Sequence, residues 1–180
     1  MDPFELLALP KKPLLSEEEI GIAYRRLAAT MHPDQAGGDE KGFKELGEAE
    51  AILRDQSRRL RALIDNTHAS TIPPEAAELF PHVATLTHEA DDLLARHAAA
   101  TNPLARAVLA APLKKLATEL DVLLSTIGNW HSDLNARLAA IDAAWPAHDP
   151  EAIAALADSF SYATRWESQL KEHKLTLDCL

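Results

Sequence analysis

The sequence predicts an all-α protein in two helical parts, and three observations carry that expectation. Ala and Leu dominate an apolar fraction of 47%, while aromatic residues make up 5% and only six glycines occur in 180 residues. That balance favours helices, because Ala and Leu lose little conformational freedom in them and β-branched residues are few. Apolar residues also recur at steps of three and four along most of the chain, with prolines falling between the runs. The expected architecture is an N-terminal helical hairpin with short flanking helices over residues 1–65, a linker at 66–74, and an antiparallel three-helix bundle over 75–180.

Asp2-Pro3 reads as a helix start, with Asp as N-cap and Pro at the first helical position. Phe4, Leu7 and Ala8 share a face of the two-turn helix that follows, which Pro10 ends. Ser16 with Glu19 three residues on has the capping-box spacing, and Glu17 to Glu19 suit the positive end of a helix dipole. Ile20, Ala23, Tyr24, Leu27 and Met31 then repeat at helical spacing, and Pro33 stops that helix. Gly37-Gly38 lies in a loop, and Phe43, Leu46, Ala49, Ile52 and Leu53 form the facing stripe. Asp55 to Ile64 supplies a short helix rich in arginine.

Residues 65–74 lack periodicity and end in two prolines, which marks a linker. In the bundle, Val83, Leu86, Ala90, Leu93 and Leu94 predict a helix from about Pro81 to Ala100, interrupted at Asn102-Pro103. Pro112 reads as a kink or restart. From Leu113 a seam of Leu116, Leu120, Leu123, Ile127, Trp130, Leu134, Leu138, Ile141 and Trp145 predicts one long helix ended by Pro146, a seam fit for internal packing or for dimerisation. Asp149-Pro150 opens the last helix, with Ile153, Leu156, Phe160, Ala163, Trp166 or Thr164, and Leu170 on its inner face.

The net charge of −10 argues against nucleic acid as a general partner, since phosphate binding needs a basic footprint. The charge is uneven: residues 1–65 hold ten Lys/Arg against thirteen Asp/Glu, and residues 66–180 hold eight against fifteen, so the second part is plainly acidic. Cys179 is the single cysteine, which leaves no internal disulfide or cysteine zinc site. The eight histidines lack metal-site spacing, His82 and His88 being six apart, and no phosphate loop or nucleophile motif occurs. No metal or cofactor is expected. The acidic start, Met1 to Glu5, is unlike a secretory leader, and no apolar run nears the roughly 20 residues of a membrane span. The expectation is a cytoplasmic protein with no membrane partner.

His32-Pro33-Asp34 stands out from this background, because a helical pattern leads into it and another opens just after it. The triplet therefore sits at a hairpin tip. It offers a carboxylate beside a rigid proline, able to make a directional bidentate pair with a partner's arginine. Arg25 and Arg26 on the incoming helix and Lys44 across the hairpin form a small basic face suited to an acidic patch. The simplest reading of Tyr24, Leu27, Phe43 and Leu46 is hairpin core.

In order and spacing, Phe4-Glu5-Leu6-Leu7, Ala23-Tyr24-Arg25-Arg26-Leu27-Ala28, His32-Pro33-Asp34, Phe43-Lys44-Glu45-Leu46 and Glu48-Ala49 with Ile52-Leu53 resemble a J domain, the module by which J-protein co-chaperones engage the DnaK-type 70-kDa heat-shock chaperone. The resemblance implies that His32, Pro33, Asp34, Tyr24, Arg25, Arg26 and Lys44 meet the chaperone and that the chain speeds its partner's ATP hydrolysis while catalysing nothing itself. The sequence departs from the family at Gly21, where another basic residue is frequent, at Gln35-Ala36 after the triplet, and at Glu50, where an aromatic is common. A J domain opening the chain, the loop Leu9 to Ser16 and an acidic helical bundle after it resemble HscB, the J-type co-chaperone of iron–sulfur cluster assembly. That likeness implies an iron–sulfur scaffold protein as client of the bundle. The alternatives are a helical adaptor whose degenerate J domain only scaffolds, and a J protein with a different client.

Overall fold

The computed structural model describes residues 2–32, 39–64, 68–147 and 149–180. Pro33, Asp34, Gln35, Ala36 and Gly37-Gly38 of the predicted tip, and residues 65–67 at the predicted boundary, lie outside them. The described residues form seven helices and no strand: α1 (Pro3–Leu6), α2 (Glu17–Met31), α3 (Glu40–Arg54), α4 (Gln56–Arg61), α5 (Pro74–Ala99), α6 (Pro103–Ala143) and α7 (Pro150–Asp178). The chain is all-α. None of these helices is long and apolar enough to cross a membrane.

Contacts gather the chain into two compact units, Met1–Thr71 with Leu134–Phe160 and Ile72–Asp133 with Ser161–Leu180. This grouping differs from the expected division at 66–74, since the end of α6 and the start of α7 join the N-terminal residues. In the first unit, α1, α2 and α4 each pack on α3. Phe4, Leu7, Ile20, Leu46, Leu53 and Leu60 are fully buried there, as are Leu134, Leu138, Ile153 and Phe160. Each such side chain contributes roughly 1.5–3 kcal/mol by leaving water.

Local chemistry explains the starts. Asp2 accepts the Phe4 amide at 2.9 Å with Pro3 at the first helical position, and Ser16 and Glu19 form the reciprocal capping box, at 3.1 and 2.7 Å. α1 is a single turn that ends at Leu6, so of the predicted two-turn face it holds Phe4, while Leu7 is its C-cap. Ala8 lies outside the helix and exposed, at φ 52°. The Leu9 amide donates to Phe4 O at 2.9 Å and the Ala8 amide to Glu5 O at 3.1 Å, the Schellman closure that requires a left-handed residue at this position.

In the second unit, the ring of Trp130 lies 6.3 Å from that of Trp166, and Lys174 reaches Asp121 at 3.6 Å, so these parts of α6 and α7 run antiparallel. Phe80 and Asp91 of α5 meet Trp166 and His173 of α7 in the parallel sense, which completes an up–down–up arrangement. The seam from Leu116 to Leu138 is buried as predicted, and Ile141 and Trp145 at its end are half-buried. On α7, Trp166 is in the core and Thr164 is exposed.

Two helix starts differ from the sequence reading. α5 begins at Pro74, seven residues earlier than Pro81, and α6 begins at Pro103 and continues through Pro112. Pro74 occupies a first-turn position where its missing N–H costs nothing, and Asn102 Oδ1 accepts the Ala105 amide at 2.8 Å to open α6. An internal proline costs about 3 kcal/mol. Burial of Val83 beyond Pro81, and of Leu109 and Leu116 on either side of Pro112, offsets that cost.

Candidate functional site

The hairpin of α2 and α3 carries most of the residues singled out in the sequence. α2 ends at Met31, and His32 leaves it with extended backbone (φ −57°, ψ 132°), as a residue before proline does. The far side of the tip is closed by Asp39, whose amide donates to Met31 O at 3.2 Å and whose Oδ1 accepts the Lys41 amide at 3.1 Å. A Cβ on Gly42 would stand 2.5 Å from Asp39 Oδ2, so the absence of a side chain at 42 leaves room for this cap. His32 is exposed, and its ring meets Phe43 edge-on with centroids 5.3 Å apart. That contact ties the base of the tip to the first turn of α3.

Arg25, Arg26 and Lys44 are all exposed, while Tyr24, Leu27 and Phe43 are half-buried and Leu46 is fully buried. Pro33 and Asp34 lie outside the described residues. The bare backbone of Gly21, buried on α2, is covered by two guanidinium groups: a Cβ built there would lie 3.2 Å from Arg25 Nη1 and 3.4 Å from Arg54 Nη2. Arg54 also pairs with Glu50 at 2.9 Å and Glu17 at 3.3 Å. Sequence reasoning overlooked Arg54, because only the α2–α3 packing brings the end of α3 beside the start of α2.

The arginine-rich α4 divides by role. Arg58 is exposed, but Arg59 is buried, donating through Nε to Pro13 O at 2.9 Å and through Nη1 to Leu53 O at 2.6 Å. Burial pulls its pKa below the ordinary arginine value, and the nearby Asp55 carboxylate partly restores it. Arg61 Nη2 donates to Asp158 Oδ1, and its Nη1 donates to His68 O at 3.2 Å. Asp158, 5% exposed, also accepts the Ser70 hydroxyl and the Thr71 amide, both at 2.8 Å. Burial raises this carboxyl, yet the Thr71 amide, Ser70 and Arg61 together outweigh it and hold the pKa below the usual aspartate range. Arg59 and Arg61 hold the fold.

The profile of the DnaJ domain matches residues 2–61. Chaperone protein DnaJ of Deinococcus proteolyticus is 40% identical over 76 residues, which cover 41% of this chain and 24% of the relative. The Chaperone protein DnaJ of Caldicellulosiruptor bescii is 44% identical over 61 residues (32% of this chain, 15% of the relative), and that of Chlamydia felis 45% over 62 residues (33% and 15%). The chain thus spans about a quarter or less of the length of these relatives. The capped helices, the α2–α3 hairpin with His32 at its tip and these matches agree on one point: residues 2–61 form a DnaJ domain.

Proposed function

We propose that this chain is a J-domain co-chaperone that docks on a DnaK-type 70-kDa heat-shock chaperone and stimulates its ATPase, itself catalysing nothing. The observation that carries the reading is a DnaJ domain whose hairpin leads into His-Pro-Asp with His32 exposed and Arg25, Arg26 and Lys44 free of burial on the same two helices. Asp34 supplies the directional contact, a carboxylate for a partner arginine, and the arginines supply the attraction that orients the encounter. Tyr24, half-buried, supports Arg25 and Arg26 by packing in the hairpin.

The part after the DnaJ domain presents the client. Its acidity and its helices, with the J domain placed ahead of them, support an HscB-like role in which the client is an iron–sulfur cluster scaffold protein. The direct test is the steady-state ATPase of a DnaK-type chaperone titrated with the full chain. Stimulation by the wild type that disappears in Asp34→Asn is the expected result. No stimulation, or stimulation indifferent to Asp34→Asn, would overturn it in favour of a helical adaptor. Retention of an iron–sulfur scaffold protein by the immobilised full chain tests the client, and failure to retain it would remove the HscB-like assignment alone.

A further inference from the structure

We propose that Arg54 and Arg25 together form the acid-reading notch of the docking face, assembled over Gly21, and that Glu17 is a placeholder which a carboxylate of the partner displaces. The proposal rests on the co-chaperone reading and adds to it the chemistry of the contact. Gly21 is buried on α2, and the ends of two arginine side chains from different helices converge on it, at 3.2 Å for Arg25 Nη1 and 3.4 Å for Arg54 Nη2 from a Cβ placed there. Two like charges drawn to one spot call for an anion beside them.

The anions present are unequal. Glu50, with its side chain 20% exposed, takes both Arg54 Nε at 3.0 Å and Nη2 at 2.9 Å on one carboxylate oxygen, and so fixes the plane of the guanidinium. Glu17, with its side chain 85% exposed, takes only Nη1, at 3.3 Å. A pair so open to water is weak and readily exchanged. Arg25 forms no ion pair among the described residues. The notch therefore holds one guanidinium anchored on its inner side, one uncommitted, and one loosely held carboxylate at the mouth.

A surface Asp or Glu of the chaperone entering this mouth would meet Nη1 of Arg54 and the fork of Arg25 at once. It would be better shielded from water there than Glu17 is in the free chain, which makes the exchange favourable. Arg54 thereby returns to this face the positive charge that Gly21 itself does not provide. Arg54→Lys keeps the charge but loses the planar fork that Glu50 aligns.

The readout is the concentration of full-length chain giving half-maximal stimulation of a DnaK-type chaperone, measured at two salt concentrations. Arg54→Ala is expected to raise it about 5- to 10-fold and to flatten its salt dependence, with Arg54→Lys in between. Glu17→Gln is expected to lower it about 2-fold, and this exposed substitution leaves the fold intact if Arg54→Ala does not. An Arg54→Ala chain that folds and stimulates at the wild-type concentration, while Asp34→Asn is inactive, would overturn the notch and leave the co-chaperone reading standing. A Glu17→Gln chain needing the same or more protein would overturn the placeholder role. A wild-type chain without stimulation would remove the underlying reading itself.

Discussion

Single residues in this chain carry unequal costs, and Ala8 and Asp158 are the clearest cases. Ala8 closes α1 in the left-handed region at φ 52°, where a Cβ costs roughly 1–2 kcal/mol and glycine costs nothing of the kind. Ala8→Gly should therefore stabilise the chain by about 0.5–1 kcal/mol, after the extra freedom of glycine in the unfolded state is subtracted. The denaturant midpoint should rise at constant slope, and a fall would contradict the strain argument. Asp158 is the opposite case, a buried carboxylate whose donors are Arg61 at the end of α4 and Ser70 and Thr71 from a stretch that reads as linker. Asp158→Asn should cost about 1–3 kcal/mol at pH 7. The sign of its pH dependence follows from the depressed folded pKa. The stabilisation is complete above the ordinary aspartate value of about 3.9 and is lost as pH falls through the lower folded value. The gap in unfolding free energy between wild type and Asp158→Asn should thus be constant from pH 7 to about 5 and narrow below that.

At the scale of elements, what the sequence made legible follows the reach of each signal. Caps are local, so Asp2, Ser16 with Glu19, and Asp149 mark their helices where the pattern puts them. His32, Arg25, Arg26 and Lys44, the residues we propose for docking, are exposed, in keeping with their places off the apolar stripes. Proline is a weaker guide, because the penalty it imposes is local while the burial that offsets it along α5 and α6 is not. Arginine is weaker still: Arg58, Arg59 and Arg61 look alike in sequence, yet tertiary packing buries Arg59 and leaves Arg58 in solvent. Arg59 satisfies the carbonyls of Pro13 and Leu53, joining the α1–α2 loop and the end of α3 to α4. Arg59→Met should leave both carbonyls without a donor and cost about 2–4 kcal/mol, whereas Arg58→Met should change stability by less than about 0.5 kcal/mol. Thermal unfolding of the two variants side by side checks the contrast, and equal effects would place Arg59 outside the structural frame.

At the scale of the molecule, the compact unit that holds the DnaJ domain is not one continuous stretch of chain. The unit closes only when Leu134–Phe160 joins Met1–Thr71. Its polar joints are specific: the Leu14 amide donates to Asp142 Oδ1 at 2.9 Å, Gln56 Nε2 to Asn135 Oδ1 at 3.0 Å, and Asp158 gathers Arg61, Ser70 and Thr71. No sequence pattern announces these joints, since each links residues 79 or more positions apart. A fragment ending at Thr71 keeps the α2–α3 hairpin and the caps but loses every one of these partners. It should fold with α3 less protected than in the full chain, by about 2–4 kcal/mol, because half-buried donors such as the Arg61 guanidinium lose their acceptors while the hairpin core remains. Amide exchange at Leu46 and Leu53, both fully buried, reads that difference in fragment and full chain under the same conditions. Equal protection would mean that the DnaJ domain draws nothing from residues 134–160. Faster exchange in the fragment, matched in the full chain by Asp158→Asn for part of its size, would make the later helices a brace for the DnaJ domain.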